Sequence, residues 1–314
     1  MSDLDAIVVG AGVIGLTSAI RLAEAGLRTA VWTADEAAAT TSYAAGASWG
    51  PHLVADQPEV TTWSRRTLAI HRDLAMEDGT GVRIGTGVEA SRGTITAPVW
   101  ASDLDDVRVV GPDHLPAGFT SGWRHRTPLI DMPVHLAYLR RRYLDGGGSM
   151  VSKRIDALSE VAAPIVVNCT GIGARDLVGD TDLTPIRGQV VICENPGITE
   201  FFVEDPGPVP DLTYYFPHGD AMVLGGQALP GDFRREPDPQ ATHDIVARCA
   251  AIDPRLAAAR ILDVRVGLRP RRSRVRLEST TAAAARVIHN YGHGGSGVTL
   301  SWGCADDVVT LATA

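Results

Sequence analysis

One stretch limits the fold of this chain more than any other: residues 6–26, AIVVGAGVIGLTSAIRLAEAG. Ala6–Val9 is a short apolar run rich in β-branched residues, which reads as a buried central strand. It runs into Gly10-Ala11-Gly12-Val13-Ile14-Gly15, three glycines at dinucleotide spacing. Gly10 suits the tight turn out of the strand, Gly12 lets backbone approach a pyrophosphate, and Gly15 lets the next helix press on the sheet. That helix, expected over roughly 13–25, places Leu16, Ala19, Ile20 and Ala23 on one face and stops at Gly26. Its free N–H groups and positive dipole end favour an anion beside Val13 and Ile14. A second strand over 27–33 completes a βαβ unit. An acid usually closes that strand to hold a ribose hydroxyl, but Thr33 stands there, with Asp35 and Glu36 just beyond. The motif alone thus leaves the dinucleotide open and argues against a plain NAD site.

At 314 residues the chain has length for one large or two modest domains. A net charge of −8 argues against nucleic acid or an acidic membrane as main partner. Lys153 is the sole lysine, so nearly all positive charge is arginine. Cys169, Cys193, Cys249 and Cys304 show no metal spacing and no C-x-x-C, so each reads as a core position, and no metal site is expected. No signal peptide and no run of about 20 apolar residues stand out, so the expected setting is the cytoplasm, without a membrane. A homodimer is compatible with all of this and required by none of it.

Further along, AAATTSYAAGASWGPHL (37–53) is small and polar, and Thr40, Thr41 and Ser42 offer three hydroxyls for a phosphate or ribose. Residues 58–76 read as a helix, and 81–123 as short alternating strands of a second, antiparallel layer. Met132–Tyr143 reads as a helix, with strands over 150–155 and 164–171 returning to the first layer. The runs 186–193 and 221–228 are β-like, and 204–219 reads as a loop in which Pro206, Pro208 and Pro210 lead into three aromatics, either a lid or a stiff connection. A helix at about 239–251 follows, then an arginine-rich stretch (266–278), then a strand, a glycine-rich turn and a final helix from 287 onward.

Four blocks in this order, GAGVIGL (10–16), TTSYAAGASWGP (40–51), VVNCTG (166–171), and GLRPRRSRVRLE followed by HNYGHGGSGVTLSWG (289–303), resemble the D-amino-acid oxidases. These flavoproteins share a broad superfamily with the glycine and sarcosine oxidases. The resemblance implies an α/β protein in which a Rossmann-like FAD-binding domain is interleaved with a smaller α+β substrate domain whose sheet is mostly antiparallel. The expected FAD-binding segments are 1–80, 132–185 and 264–314, and the substrate segments 81–131 and 186–263. FAD is then expected along Gly10, Gly12, Val13, Ile14 and Gly15, with Asp35, Thr40, Thr41 and Ser42 by its ribose and phosphates and Ala45 and Gly46 nearby. Ile155 would use its backbone near the adenine, and Thr170 would touch the cofactor. Gly294, Gly295, Ser296, Gly297, Val298 and Thr299 would hold the isoalloxazine and ribityl chain, with bare N–H groups facing the charge a reduced flavin develops.

The resemblance also places catalytic roles on Arg269, Tyr214 and Gly295. Arg269 would grip the substrate carboxylate bidentately, and the Tyr214 hydroxyl would add a hydrogen bond, with a one-residue slip exchanging Tyr214 for Tyr215. The implied reaction oxidises a D-amino acid at Cα by hydride transfer to the flavin, with O2 as acceptor, giving a 2-oxo acid, ammonia and H2O2. Orientation then matters more than acid–base groups. A neutral side chain is favoured, because neither 204–215 nor 225–233 contains an Arg or Lys to pair a second carboxylate. His52 is a polar candidate that could speak for an acidic substrate, and it reads more readily as a plain loop histidine. The alternatives are a D-aspartate oxidase, a glycine- or sarcosine-type amine oxidase, and, from another class, a non-catalytic FAD-binding protein.

Overall fold

In the computed structural model, which describes residues 4–205, 211–282 and 285–314, the chain opens as its first glycines dictate. β1 (Ala6–Val9), α1 (Val13–Glu24) and β2 (Thr29–Thr33) form the βαβ unit. Gly10 turns at φ +107°, a backbone shape that side chains with a Cβ rarely adopt, and a Cβ on Gly15 would strike the Gly10 carbonyl. Those two glycines build the turn and press α1 onto it. A Cβ on Gly12 would crowd Ser42 Oγ, 3.0 Å from where it would stand.

α2 (Pro58–Leu74) starts on a proline, whose missing N–H costs nothing in a first turn. The chain then makes an excursion through β3 (Val82–Ser91), β4 (Asp105–Val110) and β5 (Ser121–Ile130). It returns by α3 (Met132–Asp145), β6 (Ser149–Ser152), β7 (Ile165–Asn168) and the single turn α4 (Ala174–Leu177). A second excursion comprises β8 (Thr184–Glu194), β9 (Phe201–Glu204), β10 (Asp211–His218), β11 (Ala221–Gln227), β12 (Leu229–Pro230) and α5 (Pro239–Ile252). β13 (Ile261–Ala282), β14 (Ala285–His293) and α6 (Gly297–Thr313) complete the chain.

The strands form one continuous sheet in the order β4-β5-β3-β9-β10-β11-β8-β13-β14-β7-β1-β2-β6, with β12 on β8. From β14 to β6 every pairing is parallel. On the other side all pairings are antiparallel except β3 with β9. The 22-residue β13 joins the halves: its first part lies on β8 and its second on β14, with a register shift between Arg271 and Arg276. The α/β class and the interleaved, mostly antiparallel second layer are therefore as expected, built as one sheet.

Two cores hold the layers. Against the parallel strands, Leu16 and Ile20 of α1, Leu136 and Leu139 of α3, and Trp302 and Val308 of α6 are all buried. Each such side chain contributes roughly 1.5–3 kcal/mol relative to exposure. Beneath the antiparallel strands, Phe202, Tyr215 and Leu224 pack on Ile245 and Cys249 of α5. All four cysteines are buried and unpaired, as core cysteines should be.

One expectation is corrected. Tyr214, Tyr215, Phe216 and Pro217 are not loop residues but lie on β10, paired to β9 and β11. The three prolines dominated the reading of 204–219, and Pro206, Pro208 and Pro210 fall outside the described residues. The arginines after Arg269 are structural or exposed: Arg272 pairs with Asp180 at 2.9 Å, Arg274 with Glu59 at 3.6 Å and Arg276 with Glu278 at 2.7 Å. No described helix is long and apolar enough to cross a membrane.

Candidate active site

A cavity of about 820 Å³ opens where the parallel strands end at their carboxyl termini. Val9 of β1, Trp32 and Thr33 of β2, Cys169 and Thr170 after β7, and His293 of β14 all line it. Open α/β sheets bind ligands at this edge because helix N-termini and bare strand ends meet there. From this edge the cavity runs under the antiparallel half to Arg269, Tyr214, Val203 and Asp205.

The residues expected for the cofactor converge on this one space. Gly10, Gly12, Val13, Ile14, Asp35, Thr40, Thr41, Ser42, Ala45, Gly46, Ile155 and Thr170 line it, as do Gly294, Gly295, Gly297, Val298 and Thr299. Gly15 and Ser296 stand behind the wall. The α1 end is built for an anion: Val13 N–H donates to Ser42 Oγ at 3.0 Å, and the amides of Ile14 and Gly15 have no partner among the described residues. Ser42 thereby keeps its own hydroxyl hydrogen free to donate.

Two details differ from expectation. Thr40 donates its hydroxyl to the Ala37 carbonyl at 2.7 Å, and Thr41 donates to the Leu268 carbonyl at 3.1 Å. Their hydrogens are spent on backbone, so of the three hydroxyls only Ser42 has one to offer a phosphate. Likewise, Gly294 and Gly295 do not present bare amides: they donate to Pro270 O at 2.8 Å and Leu53 O at 3.1 Å. The unpartnered amides at α6 are those of Gly297, Val298 and Thr299, its first three residues. The Thr299 hydroxyl is held by Gly50, donating to its carbonyl at 2.9 Å. Two helix N-termini thus face one elongated cavity, about the arrangement a dinucleotide with a pyrophosphate and an electron-rich ring needs.

At the other end, Arg269 projects from β13 and donates from Nη1 to the Gln227 carbonyl at 2.9 Å. Space for its guanidinium exists because β8 carries Gly188 there, where a Cβ would land on the Arg269 head. Tyr214 occupies the room left by Gly225 on the neighbouring strand. Its phenol pKa is raised by burial, an effect that the adjacent Arg269 opposes. Tyr215 points to the opposite face and packs in the α5 core. Tyr214 is therefore the tyrosine on the cavity side.

His52 also lines the cavity, edge-on to Trp100 with ring centroids 5.4 Å apart. Burial pushes its pKa down and Asp205 pulls it up. Sequence reasoning passed over Gly188, Leu268 and Asp205. An isolated glycine inside the strand TPIRGQVVICE was a usable signal for close approach at Gly188.

The chain matches the model of the family described as DAO, FAD dependent oxidoreductase, over residues 5–311. It is 44% identical over 314 residues to the D-amino-acid oxidase of Streptomyces coelicolor, covering 99% of this chain and 97% of that protein. It is 33% identical over 328 residues to the human D-aspartate oxidase, covering 98% and 94%. Among solved structures, a glycine oxidase from Bacillus cereus superposes with a TM-score of 0.80 at 21% identity, over 99% of this chain and 95% of that one, which shows the shared fold.

Proposed function

Because the chain belongs to the DAO family of FAD-dependent oxidoreductases, we propose that it oxidises neutral D-amino acids to 2-oxo acids, with Arg269 and Tyr214 holding the substrate. The observation that carries this reading is the pairing of Arg269 and Tyr214 at the far end of the cavity that the glycine turn opens. Bound FAD supplies the two-electron acceptor, so that substrate, O2 and water yield 2-oxo acid, ammonia and H2O2.

The protein's own residues orient the substrate. Arg269, fixed by Gln227 O, offers its remaining N–H groups to the carboxylate, a fork that lysine lacks. Tyr214, kept protonated by burial, donates its hydroxyl to the same carboxylate. With two points fixed on one wall and Val203 and Phe216 forming an apolar surface beside them, one Cα substituent faces the glycines of the α6 end. Handedness follows from three placements together, the carboxylate on Arg269 and Tyr214, the side chain on that apolar surface and the Cα hydrogen toward the α6 end, and no base has to move a proton from carbon.

Val13, Ile14, Ser42 and the α6 amides of Gly297–Thr299 are the groups assigned to the cofactor, with Gly10, Gly12 and Gly15 giving the turn its shape. Asp35, Ile155 and Thr170 are assigned to its ribose and adenine side, and Ala45, Gly46 and Gly294–Ser296 to its packing. Residues 1–80, 132–185 and 264–314 are assigned to the cofactor domain, and 81–131 and 186–263 to the substrate domain. Four buried, unpaired thiols suit a reducing, cytoplasmic setting. The test is peroxide and 2-oxo acid formation by the FAD-loaded protein with D-methionine, D-valine and their L-enantiomers. Equimolar products from the D-forms alone are expected; turnover of L-forms, or of none, contradicts the reading.

A further inference from the structure

We propose that Asp205 gives the substrate pocket an anionic end, so that D-amino acids whose side chain terminates in a cation are taken in preference to neutral ones of equal length. This rests on the reading above and extends its substrate class from neutral side chains to those of the D-lysine and D-arginine kind.

The placement follows from strand register. Val203 on β9 stands opposite Tyr214 on β10, and cross-strand partners share a face of the sheet. Asp205 lies two residues beyond Val203, and its amide continues the ladder to β3 by donating to Ala90 O at 2.9 Å. With a period of two, Val203, Asp205 and Tyr214 face the same way, and all three line the cavity. Glu204 between them also lines the cavity but is paired with Arg92 at 2.8 Å.

Nothing described neutralises Asp205. No arginine or lysine pairs with it among the described residues, and the five residues that follow, Pro-Gly-Pro-Val-Pro, carry no cation. The two titratable groups that feel it are His52 and Glu89. Burial lowers the His52 pKa, so its imidazole is neutral near pH 7. Glu89 is buried, stands opposite Val203 on β3, and has its pKa raised well above normal by burial and by Asp205 itself. Asp205 is therefore a half-buried acidic side chain with no cation paired to it among the described residues. A ligand cation is the group that can pair with it. The same carboxylate disfavours D-aspartate and D-glutamate, consistent with the absence of Arg or Lys in 204–215 and 225–233.

The test compares kcat/KM for D-lysine and D-norleucine at pH 8, using the FAD-loaded wild type and Asp205→Asn. Norleucine matches lysine in length and lacks the ammonium. The expected D-lysine to D-norleucine ratio exceeds one in the wild type and falls at least about tenfold in Asp205→Asn, in line with loss of a charge-assisted contact. The wild-type preference should also weaken as salt is raised from 0.05 to about 0.5 M. A wild-type ratio below one, or a ratio unmoved by Asp205→Asn, overturns the inference while D-norleucine turnover leaves the oxidase reading standing. If neither compound reacts while FAD is bound, the oxidase reading fails and takes this inference with it.

Discussion

The Thr41 hydroxyl is clasped by both backbone groups of Leu268: it donates to the Leu268 carbonyl at 3.1 Å and accepts from the Leu268 amide at 3.3 Å. One side chain from the loop after β2 thus ties itself to β13 at the residue before Arg269, across 227 positions of sequence. This joint couples the cofactor side of the cavity to the strand that carries the carboxylate anchor. Thr41→Val keeps the shape and removes both bonds, leaving two backbone groups unpaired, at a cost of about 1–3 kcal/mol. Thermal unfolding should show that loss. KM for D-amino acids should rise more than the FAD dissociation constant, and the opposite order would make Thr41 a cofactor ligand instead.

Ser42 behaves differently. Its hydroxyl accepts from Val13 N–H and keeps a hydrogen for a phosphate. Ser42→Ala should weaken FAD binding about tenfold, the value of one charge-assisted hydrogen bond. Flavin fluorescence on apoprotein titration measures it, and an unchanged affinity removes Ser42 from the cofactor site.

Gly188 matters only through Arg269. A Cβ at 188 lands on the guanidinium, and overpacking of this kind costs about 1–3 kcal/mol, so Gly188→Ala should lower kcat/KM about 10- to 100-fold. The FAD absorption spectrum should hardly move, while the melting temperature should drop by a few degrees. Wild-type kinetics in this variant would mean that Arg269 does not sit at the substrate.

Acid should unfold this protein early. His71 and His125 have pKa values lowered to about 3, His135 to about 4 and His293 to about 3, chiefly by burial. Unfolded histidine titrates near 6.5, so below that pH the unfolded chain binds protons that the folded chain refuses. Stability therefore falls as pH drops from about 6.5 toward 4, each group contributing about 1.4 kcal/mol per pH unit. Glu89 and Asp306, whose pKa values are raised, work in the opposite direction but are two carboxyls against seven histidines with lowered values. Melting temperature should be level from pH 8 to 7 and fall steeply below 6. His71 has no partner on either ring nitrogen among the described residues, and His71→Leu should reduce that slope by about one proton. A melting temperature unchanged down to pH 5 would contradict the account.

The βαβ unit was legible nearly to the residue because its signals are local: Gly10, Gly12, Gly15 and Gly26 punctuate it within a few positions. The interleaved layers were legible from the way apolar runs change period along the chain. What stayed hidden depends on partners far away in sequence. The Gly294 and Gly295 amides look free until Pro270 and Leu53 are folded onto them, and Thr41 looks available until Leu268 arrives. The strand character of Tyr214 was masked by neighbouring prolines, whereas its pairing with β9 and β11 is a tertiary fact. Asp205 was passed over because that segment was searched for cations.

The most direct measurement is an anaerobic titration of the yellow, FAD-loaded protein with D-alanine, bulky neutral D-amino acids and D-aspartate, with the L-enantiomers in parallel, for the wild type and Arg269→Ala. Neutral D-forms should bleach the visible flavin absorption of the wild type and L-forms should not. Arg269→Ala should stay yellow at concentrations that bleach the wild type about a hundredfold more readily, as loss of a bidentate carboxylate contact requires. Bleaching by L-enantiomers, or an Arg269→Ala variant that titrates like the wild type, would contradict the placement of the active site.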